Sequence, residues 1–268
     1  MDWRKTKTIF IIVFLILDVF LLFQFVEKRN SNQLGLLAEK TLEEQLVDNE
    51  ISIKATLPKG PMNETYISGT SREFVPEDLL QLKDQQAQII NKTQIYSKFT
   101  TPIPLKENSK KWLEDFLKQN VLEGSSYVFW GLEEDKESEK RELIFFQVFS
   151  GKTVFNNKNA VIHILLNDKE EMIEYYQTYL EDIEEMNIDG DKTESFTALK
   201  AIETMYERNE LKPGNVVTDV DLGYYTLFKD SQVFVPTWHI IIDNKESYFV
   251  NALEGHIIRD AAQWGDES

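Results

Sequence analysis

One carboxylic acid lies inside an otherwise apolar run. Residues 10–25 read FIIVFLILDVFLLFQF, and Asp18 stands near the middle of them. A charged side chain at the centre of a bilayer costs roughly 2.5–3.5 kcal/mol, and protonation of a carboxylate lowers that cost. Two interpretations are open: a polar residue that a very apolar helix tolerates, or a group that hydrogen-bonds to another transmembrane helix. The second is favoured, because ionisable groups inside membranes usually mark functional sites.

The helical spacing around Asp18 defines a predicted contact face. Positions three, four and seven residues away from Asp18 lie on the same side of a helix. The residues predicted to contact a partner in the membrane are Asp18, Ile11, Phe14, Leu15, Leu21, Leu22 and Phe25. We therefore expect this face to dock against the helix of another protein.

The run from Thr8 to Val26 predicts a membrane-spanning helix. As a helix it extends about 28 Å at 1.5 Å per residue, close to the thickness of the hydrocarbon layer. The basic residues before it favour a cytoplasmic N-terminus, with the remainder of the chain outside. The residues predicted to anchor or orient the helix are Trp3, Arg4, Lys5, Lys7, Lys28 and Arg29. A cleaved signal peptide is disfavoured, because the run is long and no small-residue cleavage site follows it.

The histidines and carboxylates outside this run form no catalytic pattern. His163 in VIHILL and His239 in TWHIII lie within predicted strands, so we expect core or sheet-face positions, and His256 follows a turn. The sequence has no H-E-x-x-H, G-x-S-x-G, S-x-x-K or P-loop motif. Acidic pairs such as Glu184-Glu185 are typical of solvated faces. The sequence therefore predicts no catalytic residue, no metal site and no cofactor.

Composition and charge exclude further classes of protein. The chain has 268 residues, 42% of them hydrophobic, which is enough for a packed core. It has no cysteine, which excludes a disulfide framework and a thiol nucleophile. The formal net charge is −17, although the first 29 residues are net positive. Such a surface repels nucleic acid, so nucleic acid is not an expected partner.

Beyond the anchor, two similar series of elements predict the α+β class. After a short helix from Thr41 to Asn49, the first series has a helix that Ser109 caps and Gly124 ends, followed by strands. The second has a helix over 193–209 with one apolar stripe, again followed by strands. The residues of that stripe are Phe196, Leu199, Ile202 and Tyr206. For EDLLQLKDQQAQIIN after Pro76, a helix and an exposed ramp both stay open.

The predicted organisation is therefore a transmembrane helix followed by two extracellular units. Each unit places a helix on an antiparallel sheet. The predicted parts are 1–7, the cytoplasmic N-terminus; 8–26, the transmembrane helix; 27–50, a juxtamembrane stalk and short helix; 51–187, the first extracellular unit; and 188–268, the second.

Two parts of the sequence resemble the YycI (WalI) family of Gram-positive Firmicutes. The first is the N-terminus, MDWRKTKTIFI, with the apolar run ending in QFVEK and the TLEEQL that follows. The second is YFVNALEGHII near the C-terminus, so the resemblance extends over nearly the whole chain. Members of this family often have a neutral polar residue such as Asn where Asp18 stands, which agrees with hydrogen bonding at that position.

The resemblance implies a non-enzymatic regulator of the sensor histidine kinase YycG (WalK), in the cell-wall two-component system. It also implies a heterodimer with YycH, contacts through transmembrane helices and extracellular domains, and a fold similar to the two C-terminal domains of YycH. The expected location is the cell membrane, as a single-pass protein with extracellular C-terminal domains. The alternative is an anchored extracellular module that captures a wall fragment, a peptide or an exported protease.

Overall fold

The structure, a computed structural model, describes residues 3, 7, 11, 13–22, 42–58, 64–106, 109–135, 140–186, 195–226 and 232–258. The chain divides into two compact units, residues 1–51 and 52–268. In the first unit, residues 3, 7, 11 and 13–22 are helical, and helix α1 spans Leu42–Asp48. Helix α1 confirms the short helix predicted after the stalk.

No helix within the described residues has both the length and the apolar character needed to cross a membrane. The predicted transmembrane segment, 8–26, lies partly outside the described residues.

The second unit, residues 52–268, consists mainly of strands. Its helices are α2, Pro76–Leu79; α3, Lys110–Asn120; and α4, Ala198–Glu207. A 3-10 turn covers Gly124–Ser126. The strands are β1, Ser52–Ile53; β2, Ile67–Ser71; β3, Gln85–Ile90; β4, Gln94–Pro104; β5, Tyr127–Asp135; β6, Lys140–Phe149; β7, Lys152–Phe155; β8, Val161–Leu166; β9, Glu171–Gln177; β10, Leu180–Glu185; β11, Val216–Tyr225; β12, Val233–Ile242; β13, Glu246–Asn251; and β14, Ile257–Ile258. A large sheet with few helices confirms the predicted α+β class.

Hydrogen bonds connect these strands in the order β10-β2-β12-β11-β7-β6-β8-β9-β4-β3, with β1 on β11, β5 on β6, and β13 and β14 beyond β12. The pairs β1–β11 and β7–β11 are parallel, and the others are antiparallel. The pairs β7–β11 and β2–β12 join strands from both sides of residues 187 and 188. The division into units 51–187 and 188–268 stays a prediction.

Helix α3 covers one face of the sheet. The Ser109 hydroxyl accepts a hydrogen bond from the Trp112 backbone N–H at 3.3 Å, which confirms the predicted cap. Leu113 and Leu117 are fully buried in a core with residues of β4, β6, β8 and β9. After the helix, a Cβ at Gly124 would overlap the carbonyl of Leu117, so only glycine fits this turn without displacing the backbone.

The second predicted helix begins later and buries a different face. Thr197 caps it by accepting a hydrogen bond from Lys200 N at 3.2 Å, so it begins at Ala198 and not at residue 193. The buried side chains are Ala198, Ala201, Ile202, Thr204 and Met205. Of the predicted stripe, Ile202 is buried, Leu199 and Tyr206 are partly buried, and Phe196 lies before the helix begins. Helix α4 contacts β12, and a pattern based on large apolar residues does not detect its buried alanines.

Candidate functional site

The predicted membrane-contact residues lie on a helical segment whose side chains are exposed. Asp18 is helical and exposed, as are the apolar members of its predicted face that the structure describes. Their exposed fractions run from 52% at Leu21 to 65% at Ile11 and Leu22. Phe25, with Arg4, Lys5, Lys28 and Arg29, lies outside the described residues. The contact face stays a prediction.

Exposure is similar on every side of this segment. The side chains away from the Asp18 face, Val13, Ile16, Leu17, Val19 and Phe20, are between 47% and 62% exposed. Asp18 is therefore the only described residue of 13–22 that gives one side of the helix a distinct chemistry. A helix that is apolar all round normally requires an apolar environment, either lipid or another protein.

An aromatic and a basic side chain meet at the beginning of the chain. Lys7 Nζ lies 5.4 Å from the centre of the Trp3 ring, a cation–π distance, and the two residues are one helical turn apart. Tryptophan and lysine are the residue types that commonly lie at the interface between lipid and water. Their role as an anchor and the topology both stay predictions.

Each histidine has a nearby structural partner. His163 Nδ1 lies 3.0 Å from Glu142 Oε2 on the neighbouring strand, and exposed His256 Nδ1 lies 3.2 Å from Glu254 Oε2. His239 is buried, and its Nε2 lies 3.1 Å from Ser247 Oγ. Core and sheet-face positions were expected for His163 and His239, and both are confirmed. Among the residues that the structure describes, no three side chains of ligand type group together in a way that could hold a metal ion.

His239 sits among aromatic rings that seal it from solvent. The ring centres of Trp130, Phe155 and Phe249 lie 4.8, 5.2 and 5.0 Å from the imidazole centre. Burial lowers the pKa of His239 to about 4, and the charge of Asp219 acts in the opposite direction. The imidazole is thus neutral at neutral pH and packs as a ring, without access to a substrate.

A polar row crosses the sheet face opposite α3. His163 pairs with Tyr176, and Tyr176 pairs with Tyr96, on three adjacent strands. The Tyr96 hydroxyl donates to Glu174 Oε2 at 2.8 Å, and this bond raises the pKa of Tyr96 to about 12. The Tyr96 hydroxyl therefore stays protonated and hydrogen-bonded to Glu174. The contacts in this row stabilise the sheet and supply no activated nucleophile.

Sequence reasoning missed one surface, the outer edge of β3. The sequence does contain an indication of this strand, because QQAQII follows a turn at Lys83 and Asp84. Asp84 has a φ of 56°, a left-handed backbone conformation that is typical of turns. The segment carries neither the charge nor the proline that usually marks an exposed strand edge.

Comparisons with known proteins identify a family. The sequence matches the family described as "YycI protein" over residues 30–253. A search of curated proteins found no match. Among solved structures, the crystal structure of an uncharacterized protein from Eubacterium rectale ATCC 33656 aligns with a TM-score of 0.38 and 9% sequence identity. That alignment covers 78% of this chain and 91% of the other.

Proposed function

Since the chain belongs to the YycI family, which implies regulation of the YycG (WalK) two-component system, we propose that it is a membrane-anchored regulator of the sensor histidine kinase YycG (WalK). The family is a regulatory family and not an enzyme family. In the proposal the protein is a single-pass membrane protein with a cytoplasmic N-terminus and extracellular C-terminal domains. It acts with YycH as a heterodimer, and its outer domains share the fold of the two C-terminal domains of YycH.

The observation that carries the proposal is the exposed apolar helical segment. Covering one large apolar side chain contributes roughly 1.5–3 kcal/mol. The side chains available for this are Ile11, Val13, Phe14, Leu15, Ile16, Leu17, Val19, Phe20, Leu21 and Leu22. Together they outweigh several-fold the cost of Asp18, roughly 2.5–3.5 kcal/mol at mid-bilayer. This balance supports burial of the segment in lipid even though it carries a carboxyl group.

Regulation through this helix requires a preference between two states of the kinase. A partner helix that contacts Asp18 in one state and not in the other changes the equilibrium by the difference in binding free energy. A coupling of about 1–3 kcal/mol changes the population ratio about 5- to 150-fold. One hydrogen bond between helices in a membrane, about 0.6–2 kcal/mol, supplies a coupling of this size.

The proposal is tested by exchanging the helix. Residues 8–26 are replaced by an unrelated apolar helix of the same length, and the full chain is produced with YycG and YycH in membranes. We expect kinase autophosphorylation to become independent of this protein, and co-purification with the kinase to fall. A capture module that needs only a tether would keep its activity, so full retention of kinase control would overturn the proposal.

The role of Asp18 is tested separately by single substitutions. Asp18→Leu removes the hydrogen-bonding group and is expected to weaken co-purification with the kinase or YycH, whereas Asp18→Asn keeps a donor and an acceptor and should retain it. Phe20→Leu, on another side of the helix, is the matched control and should behave as wild type. Unchanged association in Asp18→Leu would remove Asp18 from the site.

A further inference from the structure

Among the described strands, five are hydrogen-bonded along one side only: β1, β3, β5, β10 and β14. The free side of such a strand presents backbone N–H and C=O groups to which another chain can add. Proteins normally protect these edges with charges, proline, bulges or very short strands. The five edges therefore differ in whether a further strand can bind.

Four of the five edges carry such protection. Strands β1 and β14 are two residues long. Strand β10, LEDIEE, holds four acidic residues, and its register shifts between Glu181 and Glu184. In β5 the register shifts between Phe129 and Gly131, and the strand ends in Glu133, Glu134 and Asp135. Repulsion, irregular backbone or short length disfavours strand addition at each of these edges.

Strand β3 has none of these protections. Its six residues, QQAQII, include no charged residue and no proline. Its pairing with β4 runs without a register shift from Gln85 opposite Phe99 to Ile90 opposite Gln94. The strand is thus regular, uncharged and long enough for an added strand to form several ladder hydrogen bonds.

Apolar surface lies beside this edge. Ala87 and Ile89 of β3 pack against the α3 core but are only partly buried, as are Leu79 and Leu82 in the segment before β3. Val75 is 48% exposed and Leu80 is 81% exposed, and α2, which lies between them, contacts β3. A strand added here would extend the sheet over the uncovered end of the core. We define the β3 edge as the backbone of Gln85–Ile90.

We propose that the β3 edge binds an extended segment of another protein, which adds to the sheet as a further strand. The segment has about six residues, is apolar at alternate positions on the side facing Ala87 and Ile89, and carries no acidic residue. Alternation follows from the strand period of two residues, and main-chain hydrogen bonds supply the affinity. The net charge of −17 repels an acidic segment and opposes pairing with a second copy of this chain. This contact is independent of the apolar helical segment.

The test uses the full chain in lipid nanodiscs and a synthetic peptide, acetyl-KVTVQVTVK-amide, as the probe. Amide hydrogen exchange is measured with and without about 1 mM peptide, a concentration suited to a dissociation constant of about 1 mM or below. We expect exchange to slow at residues 85–90 and not in β5 or β10. Absence of slowing at 85–90 in the wild type would overturn the proposal. Slowing that depends on protein concentration without peptide would instead assign the edge to a second copy.

A pair of variants connects the binding to β3. Gln86→Lys with Gln88→Lys places two lysines on exposed positions of the edge, the device that proteins use to block strand addition. Peptide affinity, from fluorescence anisotropy, should fall by about fivefold or more. Asp168→Asn with Glu207→Gln makes the same change in net charge at exposed positions outside the five strand edges and should leave the affinity within about twofold. Equal changes in peptide affinity for the two double variants would overturn the proposal. If the lysine variant does not fold, the hydrogen-exchange result for the wild type decides between binding at β3 and no binding there.

Discussion

At the residue scale, His239 shows how packing changes a side chain whose sequence context is unremarkable. Its neighbours in the chain, Trp238 and Ile240, are both buried, which fits a strand that is covered on both faces. Rings from β5, β7 and β13 then surround the imidazole, and burial lowers its pKa to about 4. The protein therefore holds a group that takes up a proton more readily when unfolded than when folded.

This difference predicts a specific dependence of stability on pH. Well above pH 6.5 the imidazole is neutral in both the folded and the unfolded state, so it contributes nothing to the pH dependence of the free energy of unfolding. As the pH falls from 6.5 to about 4, the unfolded state binds the proton first, and the free energy of unfolding decreases by about 3 kcal/mol. We expect His239→Phe to lack this part of the loss, measured by urea unfolding at pH 7, 5.5 and 4. His256→Phe, at an exposed position, is the control, and identical pH profiles for His239→Phe and wild type would contradict the prediction.

At the element scale, a single amide joins two strands that do not pair with each other. Gln147 of β6 is buried; its Nε2 donates to Leu180 O and its Oε1 accepts from Leu180 N, both at 2.8 Å. The side-chain amide thus makes the pair of hydrogen bonds that a neighbouring strand would make, and it holds Leu180 at the beginning of β10 in place. Both backbone groups of Leu180 depend on it for a partner at this point.

Gln147→Met tests this connection. Methionine has a similar volume but leaves a buried N–H and a buried C=O at Leu180 without this partner, at a cost of about 1–3 kcal/mol for each unsatisfied group. We expect the free energy of unfolding to fall by about 2–4 kcal/mol in urea titrations. Gln81→Met, at an exposed turn position, is the matched control and should change it by less than about 0.5 kcal/mol. A loss below about 1 kcal/mol in Gln147→Met would show that Leu180 finds other partners.

The elements also differ in how well local sequence predicts them. Helix α3 follows from its Ser109 cap and apolar spacing, because both signals lie within the helix itself. Strand β3 does not, because EDLLQLK resembles a helix, and only pairing with β4 makes QQAQII a strand. Helix α4 shows the same limit, since its buried alanines are recognisable only once β12 lies against them.

At the scale of the whole molecule, strand pairing crosses the boundary that sequence reasoning placed between two outer units. Tyr224 and Tyr225 of β11 pair with Val154 and Phe155 of β7, and β2 pairs with both β10 and β12. Aromatic contacts cross it too, between Phe155 and Phe249 at 5.3 Å. Unfolding of the strands on one side of residues 187 and 188 therefore exposes core side chains and backbone hydrogen-bonding groups of the strands on the other side.

These contacts predict that residues 52–268 unfold in one cooperative transition. In full-length variants that retain either Trp112 or Trp238 as the sole tryptophan, fluorescence reports on opposite sides of residue 187. Within each variant, we expect the urea midpoint from fluorescence to coincide with the midpoint from far-UV circular dichroism, because a two-state transition gives the same midpoint for every probe of one protein. Midpoints that differ by more than about 0.5 M within one variant would instead support two independent units at the predicted boundary.

Local sequence was sufficient for the apolar run around Asp18, the α+β class, the α3 cap and the strand positions of His163 and His239. These features depend on the chemistry and period of neighbouring residues, and YycI-family membership agrees with the resemblance read from the quoted segments. The order of the strands, the β3 edge, the rings around His239 and the bond from Gln147 to Leu180 arise from contacts between residues far apart in the chain. Local composition shows that QQAQII lacks charge and proline, but which strand edge stays open and which alanine faces the core depend on what packs there after folding.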